Sequence, residues 1–345
     1  MAFENLSQRE KQILHNLITY YIQSADPVGS RVIANRFRMG LSSATIRNVL
    51  ADLEELGLVE QPHASAGRVP TDLGYRVYVN CLLKPEGLTE AEKEYIQGAI
   101  LKEGRGINEI LGQTCRVLGE ITKQLGVTIA PRFEEGRFKR LELIPVAEGR
   151  IMVVVVVRSG LARSVIVEAE TDIDESELRQ VEQVLNERLA GLTLGEIRRT
   201  LAERLSDFQG QGRLIQILVD SSDQIWRDKA AGRIQVAGLD RLMIQPEFSS
   251  REKVTELVRL LENGDVLGQF LSEANEEGLV ITIGKENKFV EIMNCSLVTS
   301  SYRVGRISGT IGIIGPTRMP YDRLASVVDY TARAITDVLS EYDEQ

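Results

Sequence analysis

The chain has 345 residues, 43% of them hydrophobic and 26% charged, with a formal net charge of −9. That length is too great for one hydrophobic core and predicts two or three domains, while no run approaches the roughly 20 apolar residues that a membrane helix needs. The acidic total argues at first against a nucleic-acid partner, but phosphate attraction depends on local charge: between Asp26 and Asp52 lie Arg31, Arg36, Arg38 and Arg47 and no acid.

Ser7-Gln8-Arg9-Glu10 reads as a capping box. Behind it, Ile13, Leu14, Leu17, Ile18, Tyr21 and Ile22 form one apolar stripe at helical spacing, ended by Asp26-Pro27. Gly29-Ser30 caps a short second helix that faces Ile33, Ala34 and Phe37 inward. Met39-Gly40-Leu41 makes a tight turn, and Ser42-Ser43 caps a third helix running to about Leu56. On that helix Ile46, Val49, Leu50, Leu53 and Leu56 must face the core, so Ala44 and Asn48 point away, flanked by Thr45 and Arg47. Such groups suit a major groove: Arg for guanine, Asn for adenine, and the Ala or Thr methyl for the thymine methyl. In helix-turn-helix proteins this end of the second helix of the pair meets base edges, and the Ser42 and Ser43 hydroxyls with the helix N-terminus favour a nearby phosphate.

Leu58 to Gln61 and Arg68-Val69-Pro70 flank a small-residue loop and read as a β-hairpin, the wing of a winged helix. Arg68 is expected near its tip, placed for phosphate or minor-groove contact. Thr71-Asp72 caps a further helix through Tyr75, Val79 and Leu83, and Lys84 to Gly87 looks like a linker. The residue pattern leaves open a three-helix bundle with a hairpin that binds nothing or docks protein.

Residues 89 to 126 read as two helices, the second with Ile107, Ile110, Thr114, Val117, Ile121 and Leu125 on one seam. Phe138 to Val167 holds two or three strands, including the mostly valine run Ile151 to Val157. A helical stretch from Asp172 to about Gln209, capped at Asp172 or Asp174, is followed by a helix from about Leu214 to Ala230 that carries Trp226. A hairpin is expected around Gly238-Leu239-Asp240, then helices from Ser250 to about Ala274. Strands resume at Leu279 and run through Ile292, Leu297 and Val304 to Ile314, and an amphipathic helix from Tyr321 to about Leu339 closes the chain.

Three motifs, in order and correctly spaced, carry a specific likeness: Asp26-Pro27-Val28-Gly29-Ser30-Arg31, Ser42-Ser43-Ala44-Thr45-Ile46-Arg47-Asn48, and Gly67-Arg68-Val69-Pro70-Thr71-Asp72-Leu73-Gly74-Tyr75-Arg76. Together they resemble the heat-inducible transcription repressor family HrcA, and the likeness continues to Gly315-Pro316-Thr317-Arg318-Met319 and Tyr321. The resemblance implies a repressor that binds an inverted-repeat operator upstream of chaperone genes and is kept active by the chaperonin. It also implies a winged helix, a GAF-like domain, and a dimerisation domain inserted into the latter.

The expected fold class is therefore α+β and multidomain: an N-terminal winged helix-turn-helix over residues 1–84, a GAF-like α/β domain over 89–185 and 265–345, and a mostly helical inserted dimerisation domain over 186–264. An inverted-repeat operator needs a two-fold reader, so a homodimer held through the inserted segment is expected. The expected DNA-contacting residues are Ser30, Arg31, Ser42, Ser43, Ala44, Thr45, Arg47, Asn48 and Arg68. Partners are double-stranded DNA, a second copy of the chain and chaperonin, with no membrane and no cofactor.

Enzyme readings find little material. Neither GxGxxG nor GxxxxGK[ST] occurs, Gly278 to Lys285 has the wrong spacing, and there is no GxSxG or HExxH. Only His15 and His63 could serve a histidine site. The three cysteines, Cys81, Cys115 and Cys295, form no CxxC pair and fit a reducing compartment. With no secretory signal visible at the N-terminus, a cytoplasmic protein is expected. Two other readings stay open: a metabolite-sensing winged-helix regulator with a ligand in the GAF-like domain, and a scaffold that binds no duplex.

Overall fold

The computed structural model describes residues 6–101, 107–169, 174–208, 213–226, 234–264, 267–268, 271, 278–288, 292–305 and 307–341. Helix α1 (Gln8–Ser24) starts at the predicted box, where Ser7 and Glu10 side chains accept from each other's backbone N–H. It stops at Ala25, which turns left-handed with φ 59° ahead of Pro27. Helices α2 (Ser30–Phe37) and α3 (Ser43–Glu55) follow, capped at Gly29 and Ser42. The turn between them passes Arg38 and Gly40, both at positive φ. Strands β1 (Val59–Glu60) and β2 (Val69–Pro70) pair antiparallel as the wing, and Thr71 caps α4 (Asp72–Val77). The winged helix forms as expected.

The body contains two sheets. Helices α5 (Glu90–Ile100) and α6 (Ile107–Thr122) lead into strand β3 (Leu125–Ile129). The seam expected to reach Leu125 ends at Thr122, because Lys123 swings to φ 57° and turns the chain into the strand. Next come β4 (Phe138–Ala147), β5 (Arg150–Val157) and β6 (Ala162–Glu168), an antiparallel meander. Helices α7 (Glu175–Leu189), α8 (Leu194–Arg204), α9 (Arg213–Asp220) and α10 (Ser222–Trp226) follow. Asp174 is the N-cap residue of α7, while Asp172 lies outside the described residues. The single helix expected from Leu214 is broken at Ser221, and its end beyond Trp226 also lies outside them.

Strand β7 (Ile234–Ala237) and helices α11 (Leu239–Met243) and α12 (Arg251–Glu262) return the chain to the first sheet. The expected hairpin at Gly238 is instead a strand-to-helix turn, with Gly238 at φ 92° as the cap of α11. Strands β8 (Leu279–Ile283), β9 (Cys295–Val304) and β10 (Ile307–Pro316), then helix α13 (Tyr321–Glu341), complete it. Ile292 belongs to no strand; it packs under the sheet beside Leu297. The five-stranded sheet runs β7-β3-β10-β9-β8, antiparallel throughout. Helices cover both its faces, the layered arrangement expected of a GAF-like unit.

Buried side chains divide the chain differently from the expected boundaries at 185 and 264. Phe138, Leu141, Val153, Val155 and Val157 of the small sheet share one core with Leu185, Ile197, Leu201 and Trp226 of α7 to α10. The valine strand therefore belongs with the inserted helices and not with the large sheet. The reason is its register: β5 pairs only with β4 and β6, and its alternate residues bury in the core shared with α7 to α10. One face of the large sheet covers Leu242, Phe248, Leu257 and Leu260. The other face shares its core with α13, α6 and the winged helix: Ile13, Ile46 and Leu53 lie in the same buried cluster as Val298, Ile311 and Val328. Head and body are not separately cored.

Candidate nucleic-acid interface

Helix α3 presents the surface that its pattern predicts. Ile46, Val49, Leu50 and Leu53 are buried, while Ala44, Arg47, Asn48 and Ala51 are exposed along one stripe. Ser42 Oγ accepts from Thr45 N at 3.1 Å and lies 2.9 Å from Thr45 Oγ1, so both hydroxyls tie down the first turn. Ser43 and Thr45 are half-buried at the edge of the stripe. Asp52 and Glu55 follow on the exposed side and would repel phosphate, so the electrostatics confine docking to the N-terminal half. Ala51, which prolongs the stripe by one turn, was not among the expected residues.

Beside the stripe lies a cavity of about 410 Å³ between α2, α3 and the wing, lined among others by Arg31, Arg47, Gln61, Ser65 and Arg68. It brings Arg31 and Arg47 to one groove from separate helices. Ser30 is part of its wall and only 8% exposed. Gln61 shapes the wing tip, donating through Nε2 to the carbonyls of Ala64 at 3.1 Å and Ala66 at 2.9 Å. No periodicity marks such a glutamine in advance.

Arg68 is at the root of the wing, not at its tip. Its backbone exchanges hydrogen bonds with Val28, both 2.9 Å. Its guanidinium sits 2.7 Å from Glu54 on α3, with the side chain 19% exposed. Gly67 beside it must lack a side chain, since a Cβ there would lie 2.4 Å from the Val28 carbonyl carbon. The two motifs Asp26 to Arg31 and Gly67 to Arg76 are thus one contact, in which the wing is laid against the loop before α2. In the free chain Arg68 thus ties the wing to the reading helix through Glu54.

The rest of the third motif faces the body. Asp72 accepts from Lys285 N at 3.0 Å, and a Cβ on Gly284 would collide with that carboxylate. Arg76 donates to Glu286 through Nε at 2.7 Å and to the Ile281 carbonyl at 2.7 Å. Asn287 holds this receiving turn in shape, donating to Gly284, Ile292 and Cys295 carbonyls while accepting from Thr282 Oγ1. Arg318 completes the joint. It donates to the Ile22 carbonyl in the last turn of α1 at 2.5 Å, and to Glu247 at 2.5 and 3.2 Å. Helix α1 has no cation of its own in that turn, so the body supplies the charge that its C-terminal carbonyls attract. Burial opposes the Arg318 charge, and Glu247 more than offsets it, so the pKa lies above the usual guanidinium value. Tyr75 and Tyr321 stack at a tilt, 5.9 Å between ring centres, and burial raises both phenol pKa values well above the usual value.

The comparisons with known proteins fit this geometry. Residues 5–81 match the family model described as "Winged helix-turn-helix transcription repressor, HrcA DNA-binding", and residues 108–325 match "HrcA protein C terminal domain". The chain belongs to the HrcA family. Heat-inducible transcription repressor HrcA of Chlorobium phaeobacteroides (strain BS1) is 38% identical over 352 residues, covering 99% of this chain and all of the relative. The Chlorobium limicola protein of that name is 39% identical over 355 residues, with 99% of each covered. Among solved structures, a hypothetical protein determined at 2.2 Å superposes with a TM-score of 0.64 at 22% identity, covering 98% of this chain and 100% of its own, a likeness in fold.

HrcA membership makes this a transcription repressor with a DNA-binding winged helix, in a family of repressors rather than enzymes. Among the described residues no helix is long and apolar enough to cross a membrane and no cluster could hold a metal ion. Cys115 and Cys295 are buried thiols whose pKa burial pushes up to about 12, so they stay protonated. The missed residues are Ala51 and Gln61, which act locally, and Glu54, Glu247 and Glu286, whose partners lie in other elements. The only advance signal was that Arg318 and Tyr321 stand in a family-like motif.

Proposed function

We propose that this chain represses chaperone genes as a homodimer whose two α3 helices enter successive major grooves of an inverted-repeat operator, and that chaperonin keeps it folded. The exposed stripe Ala44, Arg47, Asn48 and Ala51 beside the Arg31 groove carries this reading. It combines base-reading groups with a local cationic surface on an otherwise acidic chain. Family membership supports the operator and chaperonin parts.

The dimer is held, in this reading, by the outer face of the small sheet. There Ile144, Met152 and Ile166 lie side by side in register, and Val154 and Val156 continue the row. Ile144 is 37% and Ile166 53% exposed, which leaves their side chains open among the described residues. A second copy pairing the same patch would give the two-fold axis that an inverted repeat requires.

A gel-shift titration at several salt concentrations, on an inverted-repeat chaperone promoter and a scrambled duplex, tests the DNA part. Equal affinity for the two would refute it. Sedimentation of the variant Ile144→Lys/Ile166→Lys tests the dimer: monomers are expected, and a persistent dimer would refute this interface. Heat-treated protein should regain operator binding faster with chaperonin and ATP than without. Equal recovery would refute the chaperonin part.

A further inference from the structure

We propose that the cavity where the inserted unit meets the large sheet binds a phosphorylated small molecule. It measures about 740 Å³ and is lined by the turn before and start of β4, the β5–β6 turn, the α7–α8 loop, and Ile307 at the start of β10. That size suits a nucleotide or a sugar phosphate.

Its charge is unbalanced. Arg137, Lys139 and Arg158 line it against one acid, Glu135, which itself lies 3.7 Å from Arg132. Arg137 donates to the Gly191 carbonyl at 2.7 Å, which fixes its guanidinium at the rim. Glu196 is close enough for Arg137 to help lower its pKa, behind the hydrogen bonds with which it caps α8 through Thr193. Lys139 and Arg158 make no ion pair among the described residues. Three cations held together cost repulsion, which a bound anion would reverse.

A buried hydroxyl is the second, independent sign. Ser159 lines the same cavity, is only 6% exposed, and its Oγ has no hydrogen-bond partner. Buried polar groups are normally satisfied, so an unsatisfied one beside a cationic cavity points to a missing acceptor. Phosphate oxygens supply acceptors for the hydroxyl and for both free cations at once.

Titration calorimetry on the full chain tests this with inorganic pyrophosphate, ADP, adenosine, and sulfate at matched ionic strength. Pyrophosphate and ADP should bind and raise Tm, and adenosine and sulfate should not. ADP binding tighter than pyrophosphate would identify a nucleotide, and equal binding a phosphate group alone. Lys139→Ala/Arg158→Ala should weaken pyrophosphate at least tenfold, and Ser159→Ala several-fold. Neither variant should much change the unliganded Tm, because these side chains have no partners to lose. No binding by either phosphate probe overturns the proposal. So does binding that sulfate matches or the double variant leaves intact, since that describes an adventitious ion only.

Discussion

Replacing Arg318 by methionine keeps most of the side-chain volume and removes three charged hydrogen bonds, one to the Ile22 carbonyl and two to Glu247. Arg318 is 14% exposed and Glu247 25%. Breaking a fully buried pair from one side costs about 3–5 kcal/mol, because the surviving charge stays buried. Water can reach part of Glu247, so we expect about 2–3 kcal/mol here, or a fall in Tm of roughly 3–4 °C for a chain of this size. The double-mutant cycle with Glu247→Gln isolates the pair, and its coupling energy should be about 1–3 kcal/mol. Both measurements are made by chemical denaturation and repeated as operator binding against temperature. Arg318 touches neither α3 nor the wing, so Arg318→Met should bind operator normally at 25 °C and release it several degrees earlier than the parent chain. Additive single variants, within about 0.5 kcal/mol, would refute the idea that Glu247 holds Arg318 in place against the end of α1.

Four further outcomes follow from the interface. Arg47→Ala and Asn48→Ala should each cost about 1–3 kcal/mol on the cognate duplex with little loss on random DNA, while Arg31→Ala should weaken both and lower the salt slope by about one; equal losses for all three in shift assays would show that the reading face is misplaced. Gly67→Ala should destabilise the head and abolish operator binding, because the new Cβ meets Val28 backbone on a rigid turn; normal binding and Tm would refute the wing contact. Arg68→Ala should lower the Tm as well as the affinity, whereas Arg31→Ala should leave the Tm unchanged. The Glu92 pKa is lowered by hydrogen bonds from Thr89 and by Arg323. Its stabilisation is therefore full above the usual carboxylate range and lost as pH falls through the folded value, so Glu92→Gln should flatten the acid arm of a denaturation-midpoint profile between pH 6 and 3.

The winged helix was legible because its signals are local. The Ser7, Ser42 and Thr71 caps act within three residues, and the burial stripe of α3 is a matter of helical period. The body was legible only as a string of elements. Strand β3 pairs with β10, nearly the whole body away in sequence, and with β7 on its other edge. Alternation in the valine strand says that one face is buried, not which helices bury it. Arg68 failed for the same reason. That it belongs to the hairpin could be read, but its place at the root and the carboxylate beside it depend on other elements, the loop at Val28 and helix α3.

The run Gly67 to Arg76 joins these two scales. Its first two residues lock the wing to Val28 and to Glu54 on the reading helix. Four residues on, Asp72 and Arg76 hold the turn around Gly284 to Glu286, while Tyr75 packs on Tyr321. Thr71 links the halves, bonding to the Gly57 carbonyl at 2.6 Å and capping α4. A loss of order in the large sheet would release Asp72 and Arg76 first, and with them the support of α4 and of the wing strand directly before it. Arg318, which grips α1 at the Ile22 carbonyl, is itself held by Glu247 of the body, so a loosened body would weaken that grip as well. In the dimer we propose, heat need not act on the DNA-reading helix at all: loosening the body would withdraw the two supports that set each head's position, and two heads without a common geometry would lose the advantage of binding as a pair.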